Sequence, residues 1–274
     1  MKNEYKLKWL YKLANKLETG FKANPNVVCI GAYNHGKSSL LNALTQNYDN
    51  TLFKVADKRE TMENKSYEFN GIVYTDTPGL NATRQDDELA LEAVINSDVN
   101  IFVHSQNDGE LGKKEMEYLQ NLVAQHCTAQ MLIGKTVFVM NHIESLSEDE
   151  IKKAKQRFIQ QIKEIFGLDP ILLTAKTVSY TKAMRENKTV LAKQSGVEEI
   201  KEQVLKLCKD EVVKYRRKKR LSLVYDEIID LLQRKLEDNA KAINDEKAKN
   251  GLVTSELNQM LQGINNIKSR LRSY

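Results

Sequence analysis

Gly31-Ala32-Tyr33-Asn34-His35-Gly36-Lys37-Ser38 sets two glycines, a lysine and a hydroxyl at the spacing G-x-x-x-x-G-K-[ST]. An apolar run, Val27-Val28-Cys29-Ile30, stands before it and a helical one, Ser39-Leu40-Leu41-Asn42-Ala43-Leu44, after it. Strand, glycine loop and helix in that order make a phosphate-binding loop. Its backbone N–H groups converge at a helix N-terminus, where unpaired donors and the helix dipole both favour an anion. Gly31 and Gly36 would let the backbone approach the phosphates, Lys37 would reach the β and γ oxygens, and the Ser38 hydroxyl would bind Mg²⁺. Ser39 completes the nucleotide-binding set on the first helical turn. A plain glycine turn before an ordinary helix explains the same residues less well, because it does not require this order of elements.

Three further groups of polar residues follow apolar runs. They are Asp76-Thr77-Pro78-Gly79 after Ile72-Val73-Tyr74, Asn141-His142-Ile143-Glu144 after a run at 136–140, and Thr174-Ala175-Lys176 after a run at 171–174. Open α/β sheets bind ligands outside the carboxyl ends of their strands, so all three lie where a ligand would. Asp76 would hold the Mg²⁺ shell, and the Gly79 N–H would point at the terminal phosphate.

In this order the motifs resemble those of translation-factor-type GTPases, with D-x-x-G after the third strand, N-K-x-D after the fifth and [ST]-A-K after the sixth. The resemblance covers roughly residues 27 to 208. It implies GTP and GDP as ligands, Mg²⁺ as the metal, and hydrolysis of GTP to GDP and phosphate. Asn141 and Glu144 would recognise guanine, whose ring N–H and exocyclic amine can both donate to one carboxylate. The Ala175 N–H, between Thr174 and Lys176, would meet the base oxygen. His142 stands where the family has Lys, and Glu144 where it has Asp, so the carboxylate is displaced by one methylene. The resemblance also implies a threonine that closes on Mg²⁺ and the γ-phosphate from a mobile loop, here Thr61, with Thr51 as the second candidate. That loop would be switch I, and the segment after Gly79 with Arg84, Gln85 and Asp86 would be switch II.

Two departures concern hydrolysis. Leu80 follows the D-x-x-G motif where Ras-like enzymes place a water-orienting Gln, and Tyr33 stands where dynamin-type loops carry Gln or Glu. Asn34 matches the Asn of G-x-P-N-x-G-K-S loops in GTPases that use K⁺ on dimerising, which implies a K⁺ site; Asn is also simply a good loop residue. The catalytic set is therefore Asn34, Lys37, Thr61 and Gly79, and the metal set Ser38, Thr61 and Asp76. His35 could face the γ-phosphate or a partner, against the ordinary expectation of a solvent-facing loop histidine.

The elements that must position these residues follow from periodicity. Tyr67-Glu68-Phe69 and Ile72-Val73-Tyr74 flank Asn70-Gly71, the signal for a tight hairpin. Residues 47–64 show no sustained period and are expected as a mobile loop. Helices are predicted near 86–96, 112–127 and 148–166, alternating with strands at 99–103, 136–140 and 171–174. That alternation gives a mainly parallel six-stranded sheet with one antiparallel hairpin strand, flanked by helices. Beyond Gly196 there is no proline, and Leu221, Val224, Ile228, Leu231, Leu232 and Leu236 recur at helical spacing. Long helices are expected over about 197 to the mid-240s, with a break near the basic cluster, and over about 253–272. Leu10, Leu13 and Leu17 make an amphipathic helix before the first strand. Helices from both ends then form a neck-like bundle: 1–24 and 210–274 beside a GTPase domain at 25–209. This arrangement most resembles bacterial dynamin-like GTPases, while Leu40-Leu41-Asn42-Ala43-Leu44 and Asp76-Thr77-Pro78-Gly79 also fit Era-like ribosome-assembly GTPases; a nucleotide-binding scaffold with little hydrolysis is the third reading.

The 274 residues carry Lys+Arg 42 against Asp+Glu 37, a net charge of +5 that selects no partner by itself. Cys29, Cys127 and Cys208 have no C-x-x-C spacing and are expected as buried thiols in a reducing compartment. With no run of about 20 apolar residues and no secretory leader pattern, a cytoplasmic location is expected. Lys214-Tyr215-Arg216-Arg217-Lys218-Lys219-Arg220 is the strongest charge run, either a site for lipid headgroups or RNA or a solvated helix face. The N-terminal helix could likewise dock on an anionic membrane or pack on other helices. The partners expected are a second copy or a related GTPase, bound in a nucleotide-dependent way, and an anionic membrane; nucleic acid is the weaker alternative.

Overall fold

The computed structural model describes residues 2–53, 65–80, 84–126, 128–246 and 254–273. The chain divides into two units, Met1–Ala23 with Lys214–Tyr274, and Asn24–Val213. The first begins with α1 (Lys2–Thr19).

The second unit is an α/β layer structure. Its strands are β1 (Asn26–Ile30), β2 (Lys65–Phe69), β3 (Ile72–Asp76), β4 (Val99–Ser105), β5 (Thr136–Asn141) and β6 (Ile171–Thr174), in the order β2-β3-β1-β4-β5-β6. Among the described residues only β2 runs antiparallel to its neighbour. The β2–β3 turn is Asn70-Gly71 with φ of 49° and 73°, the left-handed pair that a two-residue hairpin needs. The mainly parallel sheet with one antiparallel strand is thus as the sequence predicts.

The central strands β1, β4 and β5 are buried on both faces, and their successive residues enter opposite cores. Val27, Cys29, Ile101, Val103, Val137 and Val139 pack with α2 (Lys37–Leu44), α7 (Thr177–Arg185), α8 (Thr189–Lys193) and α9 (Val197–Leu207). Val28, Ile30, Phe102, Phe138 and Met140 pack with α3 (Arg84–Asn96), α4 (Lys113–His126), α5 (Ala129–Gly134) and α6 (Glu148–Phe166). Each such fully buried aliphatic side chain contributes about 1.5–3 kcal/mol relative to exposure. The limits of α6 have local causes: a Ser147/Glu150 capping box starts it, and Gly167 at φ 67° ends it.

Two differences from the sequence expectation have physical reasons. The short helices α5, α7 and α8 were not expected, because too few turns reveal a period. The stretch 47–53 is not a free loop: Asn42 donates to the Phe53 oxygen (2.6 Å) and accepts from its N–H (3.0 Å), holding Phe53 in the core. Residues 54–64 lie outside the described residues. The long helix breaks between α9 and α10 (Asp210–Glu246), near the basic cluster as the sequence predicts.

Most of α10 belongs to the first unit together with α1 and α11 (Thr254–Ser273). There Leu10, Leu13 and Ala14 meet Leu221, Val224, Tyr225, Ile228 and Leu232, and Ile264 and Ile267 join them. Polar ties reinforce this bundle, with Glu18 accepting from Tyr225 and from Arg270 (2.9 Å). The basic run is partly consumed by the fold. Arg217 donates to the carbonyl oxygens of Gly20, Phe21 and Ala23 at 2.8–3.1 Å, and Arg220 is buried. Among the described residues no helix is long and apolar enough to cross a membrane. Cys29 and Cys208 are buried and form no disulfide among the described residues, while Cys127 lies outside the described residues.

Candidate functional site

Because β1, β3, β4, β5 and β6 all run parallel, their carboxyl ends share one edge of the sheet. Register places Cys29 beside Asp76, Ser105 beside Asn141 and Met140 beside Thr174, so the four sequence motifs converge there.

The phosphate loop is tightly held. Gly36 has φ of 90°, and a Cβ on it would come within 2.2 Å of Asn141 Nδ2, so no other residue fits without displacing that side chain. Gly79 abuts the same loop, its missing Cβ lying 2.9 Å from Tyr33 Cα, and the Leu80 N–H donates to the Gly31 oxygen (3.1 Å). The D-x-x-G segment therefore packs directly on the phosphate loop. Lys37 is buried, and its ammonium donates to the Ala32 oxygen at 3.0 Å, folding back over the loop. Burial lowers its pKa, opposed by the charge of Asp76. A cation held this way at an anion nest is well placed for phosphate, which would supply the missing countercharge.

Ser38 Oγ donates to Asp76 Oδ2 at 2.6 Å, while Asp76 Oδ1 is buried without a hydrogen-bond partner. Burial raises the pKa of Asp76, against the lowering effects of Ser38, Lys37, Lys65 and the Thr77 amide. A hydroxyl paired to a carboxylate whose other oxygen is unsatisfied is the donor set that a hard divalent cation requires, so the residues fit Mg²⁺. Beside them, burial and then the Asp76 charge push the Cys29 thiol up, outweighing Lys37, so that sulfur stays protonated and inert.

The expectation for the side chain of His35 is corrected. It points neither to phosphate nor to solvent: the ring is 2% exposed, with Nε2 at 2.7 Å from Asp108 Oδ2 and Nδ1 at 3.2 Å from the Val103 oxygen. The Asn141 side chain is also occupied within the protein. Its Nδ2 donates to the His35 oxygen (3.0 Å) and its Oδ1 accepts from Thr177 Oγ1 (2.9 Å). Asn141 thereby ties the phosphate loop to the start of α7. His142 adopts φ of 58° with Nδ1 at 2.9 Å from Ser105 Oγ, and Glu144 is exposed. The Ala175 N–H donates to the Met140 oxygen (2.9 Å) and the Lys176 N–H to the Ser195 oxygen (2.8 Å), so in this arrangement neither amide is available to a base. Thr174 is half-buried at the end of β6.

Of the hydrolysis candidates, Asn34 and Tyr33 are exposed on the loop, and Asn34 has φ of 62°, a left-handed conformation that Asn tolerates. Thr51 is bound locally, its N–H and hydroxyl pairing with the Asn47 side chain at 2.9–3.3 Å. Thr61 lies outside the described residues, and Arg84, Gln85 and Asp86 open α3. Sequence reasoning missed Asp108 and Thr177, which hold His35 and Asn141 from distant segments through side-chain bonds that carry no periodic signal.

This fold and this convergence of motifs define a P-loop GTPase domain. Residues 26–142 match the family described as 50S ribosome-binding GTPase. The chain is 34% identical over 183 residues to an uncharacterised protein of Acinetobacter baylyi, covering 65% of this chain and 41% of that one. It is 29% identical over 192 residues to the tRNA modification GTPase MnmE of Treponema denticola, covering 64% and 37%. The chain thus spans less than half the length of these curated relatives. A solved structure of an oligomerised bacterial dynamin pair is similar over 100% of this chain and 53% of its own, at 16% identity and a TM-score of 0.51.

Proposed function

We propose that the chain is a GTP-dependent switch of the dynamin-like type, which binds GTP and GDP with Mg²⁺, hydrolyses GTP slowly and self-associates through its nucleotide face. The observation that carries the reading is the pairing of Ser38 with Asp76, a buried carboxylate whose other oxygen is unsatisfied and which feels the charge of Lys37. Lys37 would leave the Ala32 oxygen for the phosphates, and Ser38 with Asp76 would hold Mg²⁺, which when bound neutralises phosphate charge. Glu144, exposed at the strand end, would receive the guanine donors with Asn141 bracing it. The role of Thr61 would belong to the loop that closes over the nucleotide.

Slow hydrolysis follows from Leu80 in the place of a water-orienting Gln and from Tyr33 in the loop. A second protomer supplying order at the nucleotide face, with K⁺ held by Asn34, would complete the catalytic environment. The dynamin-like assignment is supported by the helices of both chain ends forming one unit. An anionic membrane is the proposed surface, through the exposed part of the basic run, Lys218 and Lys219.

A second reading, an Era-like RNA- or ribosome-binding GTPase, is favoured by the family match over residues 26–142. One set of experiments separates them: mass in solution with GDP and with a transition-state mimic, phosphate release with and without K⁺, and co-sedimentation with anionic liposomes or ribosomal RNA. Nucleotide-dependent dimers on liposomes support the first reading. A monomer that sediments with RNA overturns it in favour of the second.

A further inference from the structure

Behind the phosphate loop lies a polar cluster that the nucleotide chemistry does not use. His35 from the loop, His104 from β4 and Glu115 from α4 are 2%, 0% and 5% exposed. One ligand atom from each lies within 4.8 Å of the others. The Glu115 Oε1 oxygen is 3.1 Å from His104 Nδ1 and 3.6 Å from His35 Nδ1. Ligand atoms around a tetrahedral ion with bonds of about 2.0–2.1 Å stand about 3.3 Å apart, close to both separations from Glu115.

The outer contacts have the form found around metal ligands. His35 Nε2 faces the carboxylate of Asp108 at 2.7 Å, and His104 Nε2 faces the Gly109 oxygen at 3.0 Å. Glu115 Oε2 accepts from the Gly112 N–H at 3.0 Å. Each residue therefore has its rear atom fixed by an oxygen or an amide and its front atom turned to the centre, the arrangement that orients histidine and carboxylate ligands. The Val103 oxygen, 3.2 Å from His35 Nδ1, supplies a further hard donor at the same place. Asp108 is 61% exposed, so the cluster opens to solvent at that side.

We propose that His35, His104 and Glu115 form a binding site for a divalent transition-metal ion of the Zn²⁺ class, distinct from the Mg²⁺ position at Ser38 and Asp76. Each ring has an oxygen within hydrogen-bond reach of both nitrogens, so the nitrogen turned away from the ion keeps a partner, Asp108 for His35 and the Gly109 oxygen for His104. The ion binds each ring as a neutral imidazole through Nδ1 with Nε2 carrying the N–H, any proton on Nδ1 leaves to solvent, and two N–metal bonds and one O–metal bond form. Occupancy locks the residue preceding Gly36 to β4 and α4 and so stiffens the phosphate loop from behind. A mixed His/Glu donor set of this kind suits Zn²⁺ or Co²⁺ better than Mg²⁺ or Ca²⁺.

The test uses the full chain stripped of metal by chelator and titrated with Co²⁺, then Zn²⁺. The expected result is one equivalent of Co²⁺ with the intense visible bands of tetrahedral coordination, displaced by Zn²⁺ and retained in Asp76→Asn. Glu115→Gln weakens binding at least tenfold. Absence of stoichiometric binding, a pale octahedral spectrum, loss of the signal in Asp76→Asn, or unchanged affinity in Glu115→Gln overturns the site. Should Glu115→Gln fail to fold by circular dichroism, ¹⁵N resonances of the wild-type histidines decide: two Nδ1 signals shift with Zn²⁺ if the site exists, and none if it does not. Labelled GDP titrated into the same samples reports separately on the nucleotide reading, so the two can fail independently.

Discussion

Ser38 Oγ and Asp76 Oδ2 meet across 2.6 Å, leaving the other Asp76 oxygen buried and unpaired. The protein keeps this at a cost, since an unsatisfied buried polar atom destabilises by about 1–3 kcal/mol. Burial raises the carboxyl pKa, so the folded chain binds this proton more tightly than the unfolded one. The contribution of Asp76 to stability is therefore largest below the ordinary carboxylate pKa and declines as pH rises through the raised value. Asp76→Asn removes the buried charge. In nucleotide-free protein at pH 7 it should raise stability by about 1 kcal/mol, a few degrees in Tm, and flatten the acid limb of the Tm–pH curve. The same variant should lose Mg²⁺-dependent nucleotide binding. Thermal scans from pH 4 to 8 check it, and a variant less stable than wild type without nucleotide would contradict the account.

Lys37 presents the complementary case. Its ammonium rests on the Ala32 oxygen, a weak substitute for a phosphate. Charged hydrogen bonds of this kind contribute about 1.5–3 kcal/mol, so Lys37→Ala should weaken GTP and GDP by roughly 10–150-fold. Titration of a fluorescent GDP analogue measures this. Unchanged affinity would remove the phosphate cradle from the argument.

Asn141 bridges the His35 oxygen and the Thr177 hydroxyl, both in buried surroundings. Asn141→Ala leaves these two groups without partners, and urea unfolding should show a loss of about 2–4 kcal/mol. Glu144→Ala, at an exposed position, should change stability by less than about 0.5 kcal/mol. It should nevertheless reduce the preference for GTP over ATP at least tenfold. Competition binding with both nucleotides separates the bracing residue from the recognising one, and an unaltered ratio in Glu144→Ala would place base recognition elsewhere.

These contrasts also mark what the sequence could reveal. The sheet was legible because both its cores are written in contiguous runs such as Val27-Val28-Cys29-Ile30, and because Asn70-Gly71 admits only a narrow set of turns. Helix α6 was legible end to end because Ser147, Glu150 and Gly167 mark its termini locally. The surroundings of His35 were not. Its partners Val103 and Asp108 stand 68 and 73 positions away, and a histidine between Asn34 and Gly36 gives no local sign of burial. The use of the Ala175 amide by Met140 was hidden for the same reason: hydrogen bonds between strands depend on register, which motif spacing does not encode.

Asn34 separates backbone need from side-chain chemistry. Its φ of 62° would alone justify Asn, and glycine meets that need at least as well. Asn34→Gly should therefore leave thermal stability within about 0.5 kcal/mol of wild type while deleting the exposed amide. If that amide holds K⁺, the variant loses K⁺-stimulated phosphate release and the dimer that forms with GDP and a transition-state mimic. It should keep GDP affinity within about twofold, because Lys37 and the loop amides remain. Phosphate release in K⁺ against Na⁺, with mass measured in the same buffers, checks both effects. Equal stimulation in the glycine variant would mean that Asn34 serves only the turn, and that the activating group must come from a residue other than those of the phosphate loop.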